Sequence, residues 1–410
     1  MRILIVSQYF SPEPVPIPAA LAHGLADRGH DVRVLTAFPN YPSGKIADGY
    51  RQKLVHTERD ERLLVRRVPI YLSHSRNSLA RLLNYASFAV STLGAARFAR
   101  RADVVYVYAT QMTAAVAPSW WLRRYGLPYV LHIQDLWPES VTGSSMVRKG
   151  VVSRIIDAVL APWLRRLYRR AAATIAIGPG MAELLLERGA SSARSHTVLN
   201  WAPDDLAAPV VHSPEGRGLI LMYAGNIGEM QDLTTVVRAM SLVKDLPGLE
   251  LRIVGSGVAQ SRVESQAESL GLTNVHFLGR VPQNEMTPLY AESDFQLVTL
   301  IDLPIFRVTI PSKLQASLAS GIPVITTVGG DVARMVDENS LGLFSPPGDA
   351  QALAAAIRAA HAMTPHDRRT MGERASEYYE KTMTPQLGID RIEMILANAA
   401  GTREGTQRDD

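Results

Sequence analysis

The sequence contains no cysteine among its 410 residues, so disulfides, thiolate metal sites and cysteine nucleophiles are excluded. Long apolar runs are lacking too, because no segment reaches the ~18 consecutive apolar residues that a membrane-spanning helix needs. The apolar start, Met1–Ser7, is shorter than the apolar region of a secretory signal peptide. From these absences we expect a cytoplasmic protein.

Charge of one sign is also scarce. The chain has 43 Lys and Arg against 39 Asp and Glu, a formal net charge of +4. Spread over this length, such a charge does not predict nucleic-acid binding. Hydrophobic residues make up 47% of the chain, which favours a globular protein, and the length suits two domains of ~100–200 residues each.

A glycine-rich motif is missing after the first predicted strand. The loop Gln8–Pro18 contains four prolines and no glycine. An NAD enzyme would carry G-x-G-x-x-G at this point, so a nicotinamide cofactor is disfavoured. The alternative for this loop is a rigid lid that touches no ligand.

Both halves of the chain alternate short β-branched runs with helical stretches, which predicts parallel sheets covered by helices on both faces. The predicted strands are Ile3–Ser7, Val32–Thr36, Val104–Tyr108, Tyr129–Ile133 and Thr174–Ile177, then Leu219–Tyr223, Leu251–Val254, Val275–Leu278, Phe295–Leu300 and Pro323–Thr326. The class is therefore α/β, with domains at residues 1–200 and 216–377. Asn200–Gly218 is the predicted linker, and the polar residues 401–410 are expected to be disordered.

Ligands of parallel sheets bind at the carboxyl ends of strands. The strand Tyr129–Ile133 contains His132 and is followed by Asp135 and Glu139. Imidazole and carboxylate groups can bind a hydroxyl group and take up its proton, so these three are the catalytic candidates. The alternative is that Asp135 caps a helix and His132 is a buried, satisfied residue.

Two loops of the second half have features of a phosphate site. Gly225, Asn226 and Gly228 directly follow a strand, where glycine lets the backbone approach a phosphate closely. Ser312 and Lys313 follow Pro311 at a helix start, which brings a hydroxyl, a cation and free N–H groups together. The alternative for the second loop is an ordinary helix cap with an exposed lysine.

A set of short motifs occurs in a fixed order along the chain. They are Phe38–Gly44 (FPNYPSG), Gln134–Ser140 (QDLWPES), Tyr223–Gly228 (YAGNIG), Pro311–Lys313 (PSK), Ala319–Pro323 (ASGIP) and Pro347–Asp349 (PGD). In these motifs the chain resembles the retaining glycosyltransferases of family 4, in particular the bacterial cell-surface polysaccharide branch. The resemblance extends from Met1 to about Ala399.

This resemblance implies a GT-B fold, with two Rossmann-like parallel-sheet domains facing each other across a cleft. The first domain would serve the acceptor and the second the donor, and a helix at about 378–399 would pack back on the first. The family uses a UDP- or GDP-sugar as substrate, retains the anomeric configuration and requires no metal or further cofactor. By position, Gly225–Gly228 and Ser312–Lys313 would hold the diphosphate, Arg280 and Val281 would lie near the base, and the His132–Asp135 region would face the transferred sugar.

The chain departs from the family pattern at several positions. The Glu-x7-Glu pair is replaced by Val308 and Ala316, with Gln315 one step away on the helix, and the lysine after the glycine turn is replaced by Gln231. Two alternatives therefore stay open. One is a nucleotide-sugar epimerase or hydrolase of the same fold, and the other is a catalytically silent partner that binds nucleotide sugar.

The chemical class of the acceptor is harder to predict from the sequence. Ser78–Arg101 and Val151–Arg170 combine apolar residues at helical spacing with arginines. Such helices can lie on an anionic membrane, which would suit a lipid-linked glycan precursor and a peripheral location at the inner face. The alternative is ordinary helices with solvated arginines and a small-molecule acceptor.

Overall fold

The computed structural model describes residues 1–72, 78–139, 151–203, 218–282 and 285–408, without the side chains of residues 78–79, 151–157 and 402–408. The chain forms two compact units: the first is Met1–Leu199 together with Pro385–Asp410, and the second is Asn200–Thr384. Most of the predicted linker lies outside the described residues.

The first unit is built on a sheet of eight described strands. They are β1 (Arg2–Ser7), β2 (Asp31–Ala37), β3 (His56–Asp60), β4 (Leu63–Val68), β5 (Val104–Ala109), β6 (Tyr129–Ile133), β7 (Ala173–Ala176) and β8 (Ser195–Thr197). Their spatial order is β3-β4-β2-β1-β5-β6-β7-β8, and only the β3–β4 pair is antiparallel. The central strands are buried along almost their whole length, as expected when helices cover both faces.

The helices of this unit that precede the second unit lie between the strands. They are α1 (Pro16–Asp27), α2 (Ser78–Leu93), α3 (Ala96–Ala99), α4 (Val116–Tyr125), α5 (Val151–Arg170) and α6 (Pro179–Glu187). Proline in the first turn starts α1, because its fixed φ suits a helix and its missing N–H is not needed there. Gly126 ends α4 in the left-handed conformation that glycine adopts without strain.

The second unit has a parallel sheet of six described strands: β9 (Ile220–Ala224), β10 (Glu250–Val254), β11 (Val275–Gly279), β12 (Phe295–Val298), β13 (Val324–Thr326) and β14 (Gly342–Phe344). The order is β11-β10-β9-β12-β13-β14. The helices are α7 (Leu233–Ser241), α8 (Gln260–Ser269), α9 (Met286–Ala291), α10 (Ser312–Ala319), α11 (Asp331–Asn339), α12 (Ala350–Ala362) and α13 (Pro365–Thr382). Strand order reverses between β9 and β12, and such switch points are where parallel sheets bind ligands.

The last helix, α14 (Pro385–Arg408), belongs to the first unit and packs against α1, β5 and β6. Arg28 donates to Asp390 at 2.5 Å and to Glu393 at 3.0 Å. The sequence placed the returning helix at about residue 378, whereas α13 ends at Thr382 and a new helix begins at Pro385. The helix also continues to Arg408, so most of the predicted disordered tail is helical; its Arg, Glu and Gln residues are good helix formers.

Four of the described strands, β3, β4, β8 and β14, were not predicted from the sequence. The clearest case is β3, whose residues His-Thr-Glu-Arg-Asp are all polar, so hydrophobic periodicity gives no signal. It forms the edge of its sheet, where one face needs no apolar cover. None of the described helices is long and apolar enough to cross a membrane.

Candidate active site

The turn after β9 lies against α10. Gly225 has φ +137°, and a Cβ at this position would lie only 2.6 Å from Cε of Lys313. Glycine is favoured here because L residues rarely adopt this φ, and an added Cβ would also displace the end of the lysine side chain. The two loops that the sequence analysis assigned to one phosphate site are therefore neighbours in the structure.

Lys313 has an unusual environment. Its Nζ atom is buried, lies 3.4 Å from the centroid of the Tyr223 ring, and has no hydrogen-bond partner among the described residues. Desolvation lowers its pKa from 10.5 to about 7. Lys313 is therefore not the exposed lysine of an ordinary helix cap, which was the alternative. A buried ammonium without an anion is unfavourable, and an anion placed beside it would remove that cost.

The backbone amides of the glycine turn are largely occupied by hydrogen bonds within the second unit. Gly225 N–H donates to the Val254 carbonyl at 2.8 Å, and Ile227 N–H donates to the Ser256 carbonyl at 3.0 Å. Gly228 N–H donates to Oε1 of Gln231 at 3.1 Å. Gln231, the residue that replaces the family's lysine, therefore occupies a donor that a phosphate would otherwise use.

The remaining donor-side candidates lie at neighbouring strand ends. Ser312 is the exposed first residue of α10, and Asn226 is exposed in the turn. Arg280 follows β11 and its Nε donates to Oγ of Ser256 at 2.5 Å, so it lies beside the loop after β10. Val281 is partly buried and packs on the apolar cluster that contains Tyr290. All of them are at the carboxyl edge of this sheet.

The positions of the missing Glu-x7-Glu pair provide no carboxylate. Val308 ends a short 3-10 helix, and Ala316 is buried on α10. Gln315 is buried as well, and its Nε2 has no hydrogen-bond partner within the described part of the chain. Asp302, which precedes Val308 in the sequence, pairs with Arg307 at 2.9 Å.

His132 is completely buried in β6. Its Nδ1 pairs with the Tyr106 hydroxyl at 2.5 Å, the ring of Tyr108 packs edge-on against it, and its Nε2 has no described partner. Desolvation lowers the pKa of His132 to about 3, so the imidazole is neutral at physiological pH. This environment matches the buried histidine considered as the alternative, although only one of its two nitrogens is satisfied.

Asp135 differs from its neighbour because its side chain is exposed. Enough protein surrounds the carboxyl that desolvation still raises its pKa to about 6, while the charge of Arg81 opposes this rise. A carboxyl that titrates near neutral pH can take up or release a proton under working conditions. Of the three catalytic candidates, Asp135 has the environment best suited to an acceptor hydroxyl.

Glu139 is held in an ion pair. Arg188 binds both of its oxygens, at 2.5 and 2.9 Å, and also donates to the Trp137 carbonyl at 2.8 Å. The structure therefore places Glu139 with Arg188 and not with His132 and Asp135. We assign its carboxylate to fixing the loop after β6.

Glu13 was missed by the sequence analysis. This buried carboxylate accepts hydrogen bonds from the backbone N–H groups of Phe10, Asn40 and Tyr41 at 3.0, 2.8 and 2.8 Å. Burial raises the pKa of Glu13, and these bonds oppose the rise. The proline-rich loop after β1 is thereby fixed to the FPNYPSG loop after β2. The sequence did contain a signal for Glu13, because it is an acidic residue within the proline-rich loop.

Arg67 supports the same loops from β4. Its guanidinium donates to the Ser11 carbonyl at 2.7 Å and to the Ala37 carbonyl at 3.3 Å, and it pairs with Glu58 at 2.6 Å. The buried side chains of Gln8 and Gln111 join the loops after β1 and β5 at 2.5 Å. The carboxyl edge of the first sheet is therefore a hydrogen-bonded surface fixed by buried polar groups.

Two family models match consecutive parts of the chain: a glycosyl transferase 4-like domain matches residues 16–201, and glycosyl transferases group 1 matches residues 208–378. The chain belongs to the family-4-type glycosyltransferases of GT-B fold. It is 29% identical over 402 residues to WcaI of Escherichia coli (strain K12), named for colanic acid biosynthesis, covering 93% of this chain and 96% of WcaI. It is 28% identical over 275 residues to the glycosyltransferase WbjE of Pseudomonas aeruginosa, covering 63% and 66% of the two chains.

Solved structures share the fold of this glycosyltransferase at low identity. Anabaena HepE in complex with UDP matches with a TM-score of 0.71 and 16% identity, covering 97% of this chain and all of HepE. Sucrose-phosphate synthase from Thermosynechococcus elongatus matches with a TM-score of 0.72 and 17% identity, covering 96% and 98% of the two chains. The predicted GT-B class is confirmed.

Proposed function

We propose that this glycosyltransferase moves a sugar from a UDP- or GDP-sugar to an acceptor in polysaccharide biosynthesis, with retention of anomeric configuration and without a required metal. The names of WcaI and its relatives support the pathway class. HepE has been solved with UDP and with UDP-glucose, which favours UDP as the first donor to test. The observation that carries the proposal is the buried ammonium group of Lys313 beside Gly225, which has no hydrogen-bond partner among the residues that the structure describes.

In the proposed donor site, Lys313 binds the diphosphate together with Ser312 and the N-terminus of α10. The leaving diphosphate gains negative charge as the glycosidic bond to it breaks, and a fixed cation stabilises that charge. Because the ammonium group is already desolvated, it interacts more strongly with phosphate than an exposed lysine would. In this proposal, Lys313 and the N-terminus of α10 supply the positive charge that a metal ion supplies in other transferases.

In the proposed acceptor site, Asp135 orients the attacking hydroxyl. The sequence singles out no carboxylate as a nucleophile, so we favour attack on the same face as the leaving group, with the leaving phosphate taking the proton of the acceptor hydroxyl. The neutral His132 lies behind this loop, where its pair with Tyr106 positions the end of β6. Retention follows from same-face attack without a covalent intermediate.

Donor binding tests this assignment directly. We expect UDP at a hundred times its dissociation constant to stabilise the protein by roughly 2.7 kcal/mol, seen as a higher melting temperature. Lys313→Met removes the cation at nearly constant volume and should abolish most of this shift. Lys381→Met removes an exposed lysine from the same unit and should leave it unchanged. No shift with either UDP or GDP in the wild-type protein would contradict the proposal.

Product analysis separates transfer from the two alternatives. Transfer needs an acceptor and gives a product whose anomeric configuration, read by NMR, equals that of the donor. An epimerase or hydrolase would consume the donor without acceptor, and a silent partner would bind the donor and leave it intact. Either result would replace the proposed activity.

A further inference from the structure

A chain of three side-chain amides connects α2 to the carboxyl edge of the first sheet. Nδ2 of Asn84, on α2, donates to the Tyr71 carbonyl at 2.6 Å, and Oδ1 of Asn84 accepts from Nε2 of Gln8 at 2.7 Å. Oε1 of Gln8 accepts from Nε2 of Gln111 at 2.5 Å, and Oε1 of Gln111 accepts from the Thr110 hydroxyl. All five residues belong to the first unit, and the proposed function gives none of them a role.

The hydrogen bonds of this chain fix the orientation of every amide in it. An amide side chain has one accepting oxygen and one donating NH2 group. If the Gln8 amide rotated by 180°, its oxygen would face the Asn84 oxygen and its NH2 group would face that of Gln111. Gln8 and Gln111 are each 1% exposed, so bulk water would not replace a lost partner. The chain therefore holds α2 at one position relative to the ends of β1 and β5.

One side of α2 is directed at the loop after β6. The Tyr85 hydroxyl accepts from Nη2 of Arg81 at 3.4 Å, and the Tyr85 ring packs against Trp137 with 5.9 Å between the centroids. Trp137 follows Asp135 by two residues. The position of α2 thus determines where the guanidinium group of Arg81 lies relative to the carboxyl group of Asp135.

The charge of Arg81 acts on Asp135. Desolvation raises the pKa of Asp135 to about 6, and Arg81 opposes this rise because a cation favours the ionised carboxylate. The other titratable groups on the neighbouring described elements carry no net charge; they are the buried, neutral Tyr108 and His132 and the Glu139–Arg188 ion pair. The protonation of Asp135 therefore depends on how firmly α2 is held.

We propose that Gln8 is a positioning residue that holds Arg81 of α2 beside Asp135. Its amide acts through Asn84 on one side and is itself fixed by Gln111 on the other. This inference rests on the proposed function, in which Asp135 orients the acceptor hydroxyl, because an ionised carboxylate accepts the hydrogen bond of that hydroxyl. If the chain of amides were broken, α2 could move away and Asp135 would keep its proton to a higher pH.

NMR of the full-length protein, labelled with 13C at the aspartate carboxyl carbons, tests this inference. Asp135→Asn removes one signal and thereby assigns it, and a pH titration then gives the pKa of Asp135 in each protein. Gln8→Met removes the amide at nearly constant volume. Asn84→Ala breaks the chain at a half-buried helical position, where alanine favours the helix. Arg81→Gln removes the charge itself.

Thr174→Val is the matched control for a general loss of stability. Thr174 is a buried residue of β7 whose hydroxyl is hydrogen-bonded to that of Ser195 at 2.9 Å, and it takes no part in the chain of amides. Its loss should lower the melting temperature, as Gln8→Met should, because each variant removes a buried hydrogen bond. Only a positioning role predicts that the two variants differ in the pKa of Asp135.

We expect Arg81→Gln to raise the pKa of Asp135 by about 1, the effect of losing a nearby opposite charge. Gln8→Met and Asn84→Ala should give a smaller rise, since the cation is displaced and not lost, and Thr174→Val should give none. An unchanged pKa in both Gln8→Met and Asn84→Ala would overturn the inference, as would an equal rise in Thr174→Val. The titration needs neither donor nor acceptor, so a failure of the proposed transfer reaction would not alter its result.

Discussion

Glu13 of the first unit and Lys313 of the second are both buried charges at the carboxyl edge of a parallel sheet, yet their surroundings differ. Three backbone N–H groups donate to Glu13, whereas the ammonium group of Lys313 has no described hydrogen-bond partner and faces the Tyr223 ring. A satisfied buried charge stabilises the fold around it. An unsatisfied one costs stability and is expected where a ligand supplies the missing partner.

The largest effect is expected from Lys313→Met. Loss of a cation that stabilises a leaving group should lower kcat/KM for the donor by about 100- to 1000-fold. The unliganded protein should be as stable as wild type or more so, because the variant removes a buried charge that no described residue pairs with. Steady-state kinetics and thermal unfolding measure the two effects. A clear loss of stability with unchanged kinetics would assign Lys313 to the fold instead.

Glu13→Ala should give the opposite pattern. It leaves three buried N–H groups without an acceptor, and we expect a loss of about 3 kcal/mol or more in the free energy of unfolding. UDP affinity should not change, since Glu13 lies in the other unit. Denaturant unfolding measures the loss, with Glu183→Ala, an exposed acid of the same unit, as control. Comparable stability of the two variants would show that the Glu13 hydrogen bonds are not what holds these loops.

A smaller effect concerns pH. The pKa of Lys313 is lowered from 10.5 to about 7 in the folded protein, so between these values the unfolded chain binds more protons than the folded one. Its contribution therefore makes the unliganded protein more stable as pH rises from about 7 toward 10.5. The free energy of unfolding of the wild-type protein, measured relative to Lys313→Met, should rise over this range. A flat difference would show that the ammonium group is not desolvated.

The smallest effect is expected at Gln231. Its side chain accepts from Gly228 N–H, so Gln231→Ala should free that donor for a phosphate. We expect UDP to bind about threefold more tightly, within the range of one neutral hydrogen bond. Calorimetry measures the change, with Gln351→Ala on the same unit as control. Weaker binding would mean that Gln231 itself contacts the nucleotide.

The alternation of strands and helices was predicted from the sequence. The proximity of the Gly225 and Lys313 loops was predicted as well, because the loops that bind ligands in a parallel sheet lie together at the carboxyl ends of its strands. The sequence did not predict which amides are already occupied, since that depends on the conformation of the Gln231 side chain. The Glu139–Arg188 pair joins residues 49 positions apart, and periodicity does not report such contacts. The polar strand β3 was missed because pairing with β4, and not burial of its side chains, determines it.

The return of α14 to the first unit has a consequence for biosynthesis. The second unit is contiguous in sequence, so it can finish folding while residues 385–408 are still being translated. The first unit, by contrast, lacks the helix that covers α1 until residues 385–408 have left the ribosome. Residues of α1 such as Gly24, against which Ile389 packs, stay uncovered during that interval. Removal of residues 385–408 would therefore damage the unit whose other part, Met1–Leu199, was synthesised first.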